Sequence, residues 1–220
     1  MKLRVLVGCE RSRIVADAFE ELGHEGWSCD LLPSDRPSNK HIRGDVREVL
    51  ETGVWDLFVV LHPPCTRLCN SGVRWITGEP PEGKTQVDML RELAEGARFF
   101  GDMLNAKVPH RAVENPVMHK YAKALIEGFR KHSQSVQPWQ FGFDEDGPDN
   151  EKKRTCWWLN ELPKLVPDGT LDGTTARDSV HSASPGVDRG HRRSTFFPGM
   201  ARALAEQWAG HVVCRAKTYA

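Results

Sequence analysis

Short apolar runs that alternate with helically spaced segments are the feature of this 220-residue chain that most constrains its fold. Residues 3–7 are apolar and β-branched, and residues 14–22 then carry apolar side chains at helical spacing. A second strand is predicted at residues 25–32, directly after Gly23. This order predicts a βαβ unit at the start of the chain. The continued alternation predicts an α/β fold with a mainly parallel, doubly wound sheet.

The rest of the chain repeats this alternation and then changes character. Helices are predicted at residues 46–50, 86–104, 117–130 and 200–212, and strands at residues 57–61 and 111–113. Two apolar runs, 135–143 and 155–159, flank an acidic turn and predict an antiparallel pair at one sheet edge. Glycine and proline make residues 66–84 a predicted loop, and residues 163–195 a predicted extended surface segment. We therefore expect one domain over residues 1–220.

Composition narrows the classes of function. The hydrophobic content of 39%, the charged content of 27% and the net charge of zero are ordinary for a globular domain and argue against a protein that coats nucleic acid by bulk charge. Six cysteines lack the spacing of a secreted disulfide scaffold, so reduced thiols are expected. No apolar run has the length of a membrane span, and we expect a cytoplasmic protein without a membrane partner. Oligomeric state is open, with a monomer favoured.

Two reactive groups are predicted to meet at the carboxyl edge of the sheet. Cys65 follows the predicted strand 57–61 through two prolines, and Glu114 and Asn115 follow the strand 111–113. A thiol that faces a carboxyl group suits the activation of an electron-poor ring, because sulfur adds to carbon while the acid supplies a proton. Burial beside a base pocket is expected to raise the pKa of Glu114.

A nucleoside cofactor site is predicted at the neighbouring strand ends. Gly8 permits close backbone approach, Asp30 could accept both ribose hydroxyls, and Asp45 could bind the adenine amine. The glycine pattern G-x-G-x-x-G is absent, which argues against a dinucleotide, and both aspartates could simply be turn or cap residues.

The remaining candidate functional residues are two basic clusters and a group of histidine and cysteine side chains. Residues 152–154 and 189–193 are basic and lie near aromatic residues, which suits a groove for phosphates and bases as well as an ordinary solvated surface. His62, Cys65 and Cys69 are residue types that bind metals, as in zinc deaminases, but their spacing lacks the H-x-E and P-C-x-x-C patterns. No metal is therefore expected.

Taken together, the motifs resemble the DNA cytosine-5 methyltransferase family, and more narrowly its short phage-type members. Pro63-Pro64-Cys65 resembles the family's nucleophile motif, and Glu114-Asn115-Pro116 its E-N-V motif. The stretch 70–72 resembles the small residues after the nucleophile, and residues 193–204 resemble the closing motif. Order and spacing agree with the family.

The resemblance implies a Rossmann-like, S-adenosylmethionine-dependent methyltransferase fold, with methyl transfer to carbon 5 of cytosine in duplex or single-stranded DNA. It implies catalytic roles for Cys65, Glu114, Asn115 and Arg154. It implies cofactor contacts from Gly8, Cys9, Asp30, Leu31, Asp45, Val46 and Pro63. It implies substrate contacts from Pro64, Ser71, Lys153 and Arg193.

The chain also departs from that family in ways that leave the substrate open. Residues 154 and 193 are too close in sequence to hold a large target-recognition domain, so the expected sequence specificity is short or relaxed. A free cytosine nucleotide is an alternative substrate. A non-catalytic nucleic-acid-binding protein that kept the fold is an alternative from another class.

Overall fold

The computed structural model describes residues 1–182 and 193–218, and within them one sheet has the strand order β3-β2-β1-β4-β5-β7-β6. The strands are β1 (Arg4–Gly8), β2 (Glu25–Asp30), β3 (His41–Arg43), β4 (Leu57–Val60), β5 (His110–Asn115), β6 (Gln134–Val136) and β7 (Thr155–Asn160). The first five are parallel, whereas β7 runs antiparallel to both β5 and β6. The fold is therefore Rossmann-like, and the order reverses between β1 and β4, where such sheets open a crevice.

Helices cover both faces of this sheet. They are α1 (Ile14–Glu21), α2 (Val46–Thr52), α3 (Arg74–Thr77), α4 (Gln86–Leu104), α5 (Lys120–Leu125), α6 (Ser179–Ser182), α7 (Pro198–Leu204) and α8 (Gly210–Thr218). A π-helical segment, Ala205–Ala209, joins α7 to α8, and single 3₁₀ turns occur at Asn70–Gly72 and Pro138–Phe141. None of the helices in the described ranges is long and apolar enough to cross a membrane.

Two hydrophobic clusters sandwich the sheet because its side chains alternate between faces. Val5 and Val7 of β1 pack into one cluster with Phe19 and Trp208. Leu6 packs into the other, which α4 and the tryptophan at position 158 complete. Both faces of the parallel strands are thus buried, and only their ends are free to form a site.

The predicted parallel sheet, its antiparallel edge and the helix at 86–104 are confirmed. The helix predicted at residues 117–130 is wrong in length, since α5 begins after the cap His119 and ends where Ile126 turns extended and Gly128 takes a φ of 67°. The loop predicted at 66–84 contains the turn Asn70–Gly72 and α3. Strand β3 was not predicted, because three residues are too few to show periodicity. The segment 183–192 of the predicted surface stretch lies outside the described residues.

Because α1 packs closely on β2, a larger residue at their contact should destabilise the fold. A Cβ at Gly26 would lie 2.1 Å from the carbonyl oxygen of Ala16, whereas a Cβ at Gly210 would meet nothing within 4 Å. Gly26→Ala should therefore lower the free energy of unfolding by about 3 kcal/mol through overpacking. Gly210→Ala, the matched control in a helix, should leave it unchanged or raise it by up to about 1 kcal/mol. Urea unfolding measures both, and equal effects would contradict the packing account.

Candidate active site at the carboxyl ends of the strands

The chain segment after β4 places Cys65 at the crevice. Leu61 N–H still donates to the Gly8 carbonyl at 2.9 Å, and His62 then adopts a left-handed φ of 47° that turns the chain out of the sheet. The carbonyl of Cys65 accepts the N–H groups of Leu68 at 2.9 Å and Cys69 at 3.0 Å. The partly exposed thiol is therefore carried at the first turn after the strand.

The segments that follow β4 and β5 are joined to each other. Asn70 N–H donates to the Val117 carbonyl at 3.1 Å, and His119 N–H donates to the Leu68 carbonyl at 3.1 Å. The buried ring of His119 also contacts the Arg67 carbonyl through Nε2 at 2.6 Å. These bonds hold the segment that contains Cys65 against the segment that follows Glu114.

Glu114 is 1% exposed, near the end of β5, and His62 contacts its carboxylate twice. The His62 backbone N–H donates to Oε2 at 3.2 Å, and the Nδ1 atom lies 3.5 Å from the same oxygen. Burial favours a raised pKa, but the hydrogen bonds of His62 and the charge of Lys153 outweigh it, and the pKa of Glu114 is lowered. The predicted rise in this pKa is wrong, because a buried carboxylate with donors beside it is better solvated than burial alone implies.

The pKa of the Cys65 thiol is shifted in the opposite direction, upward. Burial and then the negative charge of Glu114 raise the pKa of Cys65 to about 12, and Cys69 adds to the rise while Lys153 opposes it. The free protein therefore holds a thiol beside a carboxylate at neutral pH. Cys65 would have to lose this proton before its sulfur could act as a nucleophile.

Lys153 is the cation of the site. Its Nζ donates to the Arg193 carbonyl at 2.9 Å and lies 5.6 Å from the centre of the Phe197 ring. Burial lowers the pKa of Lys153, whereas the charges of Glu114 and Cys65 raise it. Two of the four predicted substrate residues, Lys153 and Arg193, thus meet through this hydrogen bond, and the charge of Lys153 acts on both Cys65 and Glu114.

Three other predicted site residues have hydrogen-bond partners outside this group. Arg154 is exposed and donates from Nε to Ser135 Oγ at 3.4 Å, on the far side of the chain from Lys153. Asn115 is fully buried, and its side-chain NH₂ donates to the Pro116 carbonyl at 3.0 Å. Ser71 is exposed, with its hydroxyl 3.0 Å from Cys69 Sγ.

A cavity of about 630 Å³ opens beside the reactive groups, at the ends of β1, β2 and β3. Its lining includes five of the seven predicted cofactor residues, Cys9, Asp30, Leu31, Asp45 and Val46, together with Pro64. Gly8 and Pro63 are not in its lining. A second cavity of about 200 Å³ shares Cys9, Asp30 and His62 with the first. The volume of the larger cavity lies in the range typical of small-molecule sites.

The two aspartates predicted to bind the cofactor differ in how far their carboxylates are already hydrogen-bonded within the protein. Asp30 accepts the Leu32 N–H at 2.9 Å through Oδ1. Asp45 caps α2 by accepting the Arg47 N–H at 2.9 Å, and the Arg47 guanidinium donates to both of its oxygens. Asp30 retains an oxygen for ribose hydroxyls, whereas an adenine amine would share Asp45 with Arg47.

The amino terminus of α1 determines whether a cofactor with phosphate groups could bind in the cleft. Glu10 is 2% exposed, and its carboxylate accepts the N–H groups of Val15 at 2.7 Å and Ala16 at 3.2 Å. In dinucleotide-binding folds this helix terminus binds a pyrophosphate. Here the protein's own carboxylate occupies it, so the cleft fits a nucleoside cofactor without phosphates. Gly8 serves packing, because a Cβ there would lie 2.8 Å from Val46 Cγ2.

His62 is the site residue that sequence reasoning assigned only to a rejected metal set. Its Nε2 is buried and has no hydrogen-bond partner within the described ranges, and its ring lies 6.0 Å from Phe196. Burial lowers the pKa of His62, and the charge of Lys153 lowers it further, so the ring is neutral at pH 7. Only its left-handed backbone, which sequence does not reveal, directs its N–H to Glu114. In the described part of the chain, no three His, Cys, Asp or Glu residues cluster to hold a metal ion.

Comparison with known proteins gives structural similarities but no match in sequence. No protein-family model and no curated protein sequence matches the chain. A solved structure, described as a proposed DNA modification methyltransferase encoded within an E. coli prophage, is similar with a TM-score of 0.44 and 11% identity. The match covers 84% of this chain and 56% of that protein, so the chain spans little more than half of its length.

The charges of Glu114 and Lys153 shift the pKa of Cys65 in opposite directions, so the rate at which Cys65 is alkylated should respond to each of them. With its pKa near 12, Cys65 should react slowly with iodoacetamide at pH 8, where about 10⁻⁴ of it is thiolate, and about tenfold faster per pH unit. Glu114→Gln should speed the reaction several-fold and Lys153→Gln should slow it. Peptide mapping by mass spectrometry measures the rates, with the exposed Cys214 as internal control. Identical rates in both variants would contradict the electrostatic coupling.

Proposed function

We propose that the protein transfers a methyl group from S-adenosylmethionine to carbon 5 of cytosine in DNA, through a covalent bond between Cys65 and carbon 6. The observation that carries this proposal is the juxtaposition of the Cys65 thiol and the buried Glu114 carboxylate beside the large cavity. The lining of that cavity includes His62, Pro64 and Thr66, the chain neighbours of Cys65, and a thiol paired with a carboxyl group suits addition to a flat, electron-poor ring.

The cofactor residues support this choice of methyl donor. When bound, S-adenosylmethionine supplies an electrophilic methyl group on a sulfonium, which carries no phosphate. Asp30 would hold the ribose hydroxyls, and Asp45, Leu31 and Val46 would surround the nucleoside in the cavity. Glu10 closes the phosphate-binding helix terminus, which favours such a cofactor over a dinucleotide.

The proton positions of the free site define the first chemical step. One proton moves from Cys65 to Glu114, which converts the resting thiol and carboxylate into a thiolate and a carboxylic acid. The thiolate then forms a bond to carbon 6, the ring electrons shift to ring nitrogen 3, and Glu114 gives that nitrogen the proton. The resulting enamine makes carbon 5 nucleophilic enough to accept the methyl group. A water molecule then takes the carbon 5 proton, and the electrons of that C–H bond re-form the ring double bond and expel the Cys65 sulfur as a thiolate. The nitrogen 3 proton returns to Glu114 and from there to Cys65, which restores the resting thiol and carboxylate.

During the proposed reaction, Lys153 would stabilise the negatively charged forms of Cys65 and Glu114. Its ammonium interacts electrostatically with both Cys65 and Glu114, so it stabilises the thiolate when the proton leaves sulfur. In duplex DNA the target base would have to leave the stack before it could reach Cys65, at a cost of about a few kcal/mol. The segment after Cys65, which contains the turn Asn70–Gly72 and α3, would then close over that base.

Cys65→Ala should abolish methyl transfer while cofactor binding persists, because the cavity lining does not include this side chain. Tritiated methyl transfer to duplex DNA, single-stranded DNA and dCMP measures activity and separates the substrate classes. DNA that contains 5-fluorocytosine should trap the wild-type protein covalently, because a fluorine at carbon 5 cannot leave as a proton. Unchanged transfer by Cys65→Ala would reject the mechanism, and absence of trapping with bound cofactor would favour a non-catalytic binding protein.

The two contacts from His62 to Glu114 predict a positioning role. His62→Gly tolerates the left-handed φ and keeps the backbone donor but loses the ring, so its Tm should not fall while kcat/KM falls about 10- to 100-fold. His62→Asn, which also tolerates this φ and retains a side-chain donor, should recover part of the loss. The lower limb of the pH–rate profile should move upward in His62→Gly, because Glu114 loses a hydrogen bond that lowers its pKa. Equal activity and pH profiles in all three proteins would contradict this role.

A further inference from the structure

Glu92 of α4 forms ion pairs with two residues that lie far apart in residues 65–84, which we term the Cys65 segment. Arg67 Nε donates to Glu92 Oε2 at 2.7 Å, and Lys84 Nζ donates to the other oxygen, Oε1. Arg67 lies near the start of the Cys65 segment, and Lys84 lies at its end. One carboxylate therefore connects both ends of this segment to a helix that packs on the sheet.

The two ion pairs differ in their exposure to water. The Arg67 side chain is 9% exposed, whereas the Lys84 side chain is 45% exposed. Solvent and salt weaken an exposed pair, but they screen a shielded pair much less. The hydrogen bond from Lys84 lowers the pKa of Glu92, burial opposes this effect, and the hydrogen bond from Arg67 adds to it, so Glu92 is ionised at neutral pH. The Arg67 contact is therefore the one that can hold the segment in place.

Arg67 is held through its backbone as well as through its side chain. The Arg67 carbonyl contacts His119 Nε2 at 2.6 Å, while the guanidinium donates to Glu92. The Cys69 N–H donates to the Cys65 carbonyl at 3.0 Å and closes a turn that contains Arg67. The position of Arg67 therefore sets the direction of the turn that begins with the thiol.

The same face of α4 packs against the chain on both sides of Cys65. Gly96 lies one helical turn after Glu92 and so shares its face of the helix. A Cβ at Gly96 would lie 3.2 Å from the Pro64 carbonyl oxygen and 3.4 Å from Leu68 Cδ2. Glu92 and Gly96 also line the cavity of about 630 Å³. The helix face that contacts the Cys65 segment thus also borders the proposed cofactor site.

We propose that Glu92 is a positioning residue, which holds Arg67 and thereby fixes the turn that carries Cys65 at the crevice. The effect of Glu92 on the reaction rests on the proposed function, whereas its effect on the thiol does not. Sulfur can add to a ring only from a narrow range of positions, and a displacement of about 1 Å can cost about 100-fold in rate. Glu92 acts through Arg67 and not on the reacting atoms.

Single substitutions separate the two ion pairs. Glu92→Ala removes both, Arg67→Gln removes only the shielded pair, and Lys84→Gln removes only the exposed pair. Glu92→Gln loses the charge but keeps an oxygen that can accept from Arg67. Glu95→Ala is the matched control, because Glu95 is an exposed carboxylate on the same helix and cavity wall and has no ion-pair partner in the described ranges.

Two measurements on the free protein test how firmly Cys65 is held. Burial raises the pKa of Cys65, so Glu92→Ala and Arg67→Gln, which loosen the turn, should react several-fold faster with iodoacetamide. Hydrogen exchange at the Cys69 N–H, measured by NMR, should accelerate about tenfold in both variants. The buried Cys156 should stay slow to react, which shows that the fold is intact. A variant in which Cys156 becomes reactive is replaced in the comparison by Glu92→Gln.

Glu92→Gln should recover part of each effect, because it still accepts a hydrogen bond from Arg67. Lys84→Gln and Glu95→Ala should stay within about twofold of wild type in both measurements. In methyl transfer, kcat should fall about 10- to 100-fold in Glu92→Ala, while KM for the methyl donor changes less than about threefold. Equal effects of Lys84→Gln and Arg67→Gln, or of Glu95→Ala and Glu92→Ala, would overturn the proposal.

Failure of this proposal and failure of the proposed function give different results. If alkylation and exchange respond as expected but the wild-type protein transfers no methyl group, Glu92 positions the thiol and the proposed function fails. If the wild-type protein methylates DNA while Glu92→Ala and Arg67→Gln leave kcat, alkylation and exchange unchanged, the proposed function stands and Glu92 only forms ordinary ion pairs.

Discussion

The contact between His62 and Glu114 ties together the ends of β4 and β5, and the arrangement of the site depends on it. The parallel pairing of these strands, with Val60 opposite Val113, brings the two segments to one edge of the sheet. The left-handed backbone of His62 then lets its N–H reach the buried carboxylate. Without that donor, Glu114 would be a buried charge with little solvation, and such groups neutralise instead of staying ionised. The same turn of the chain carries Cys65 out to the crevice.

The electrostatics of the site favour a protonated thiol beside an ionised carboxyl group. Cys65 is held as a thiol and Glu114 as a carboxylate, and Lys153 lies close enough to interact with both. In the proposed mechanism, a single proton transfer would convert this pair into a nucleophile and an acid. Because the free protein presents little thiolate, Cys65 is protected from oxidation and alkylation.

The fold was largely predictable because its signals are local and repeated. Apolar runs near β1, β4 and β5, and helical spacing near α1 and α4, predict the alternation that makes a parallel sheet. Parallel topology then implies that Cys65 and Glu114 emerge at one edge. Prediction failed where a few residues decide the outcome. Helix α5 ends early because Gly128 adopts a positive φ, and β3 has only three residues. The motif around Cys65 predicts the thiol of the site, and the strand end at Glu114 predicts its carboxyl group. The sequence offers His62 only as a candidate metal ligand, so its contact with Glu114 is not predicted.

The sequence by itself determined the order of strands and helices, the positions of Cys65 and Glu114 at strand ends, and the acidic residues beside the cavity, because each follows from periodicity or from a neighbouring turn. Only the tertiary structure decided which charges act on those groups. The pKa of Glu114 is lowered because His62 and Lys153, distant in sequence, meet at one carboxylate. Lys153 and Arg154 are adjacent in sequence but have different surroundings, since consecutive side chains along an extended segment point to opposite sides. Electrostatic interaction depends on distance in space, and a linear sequence does not contain that distance.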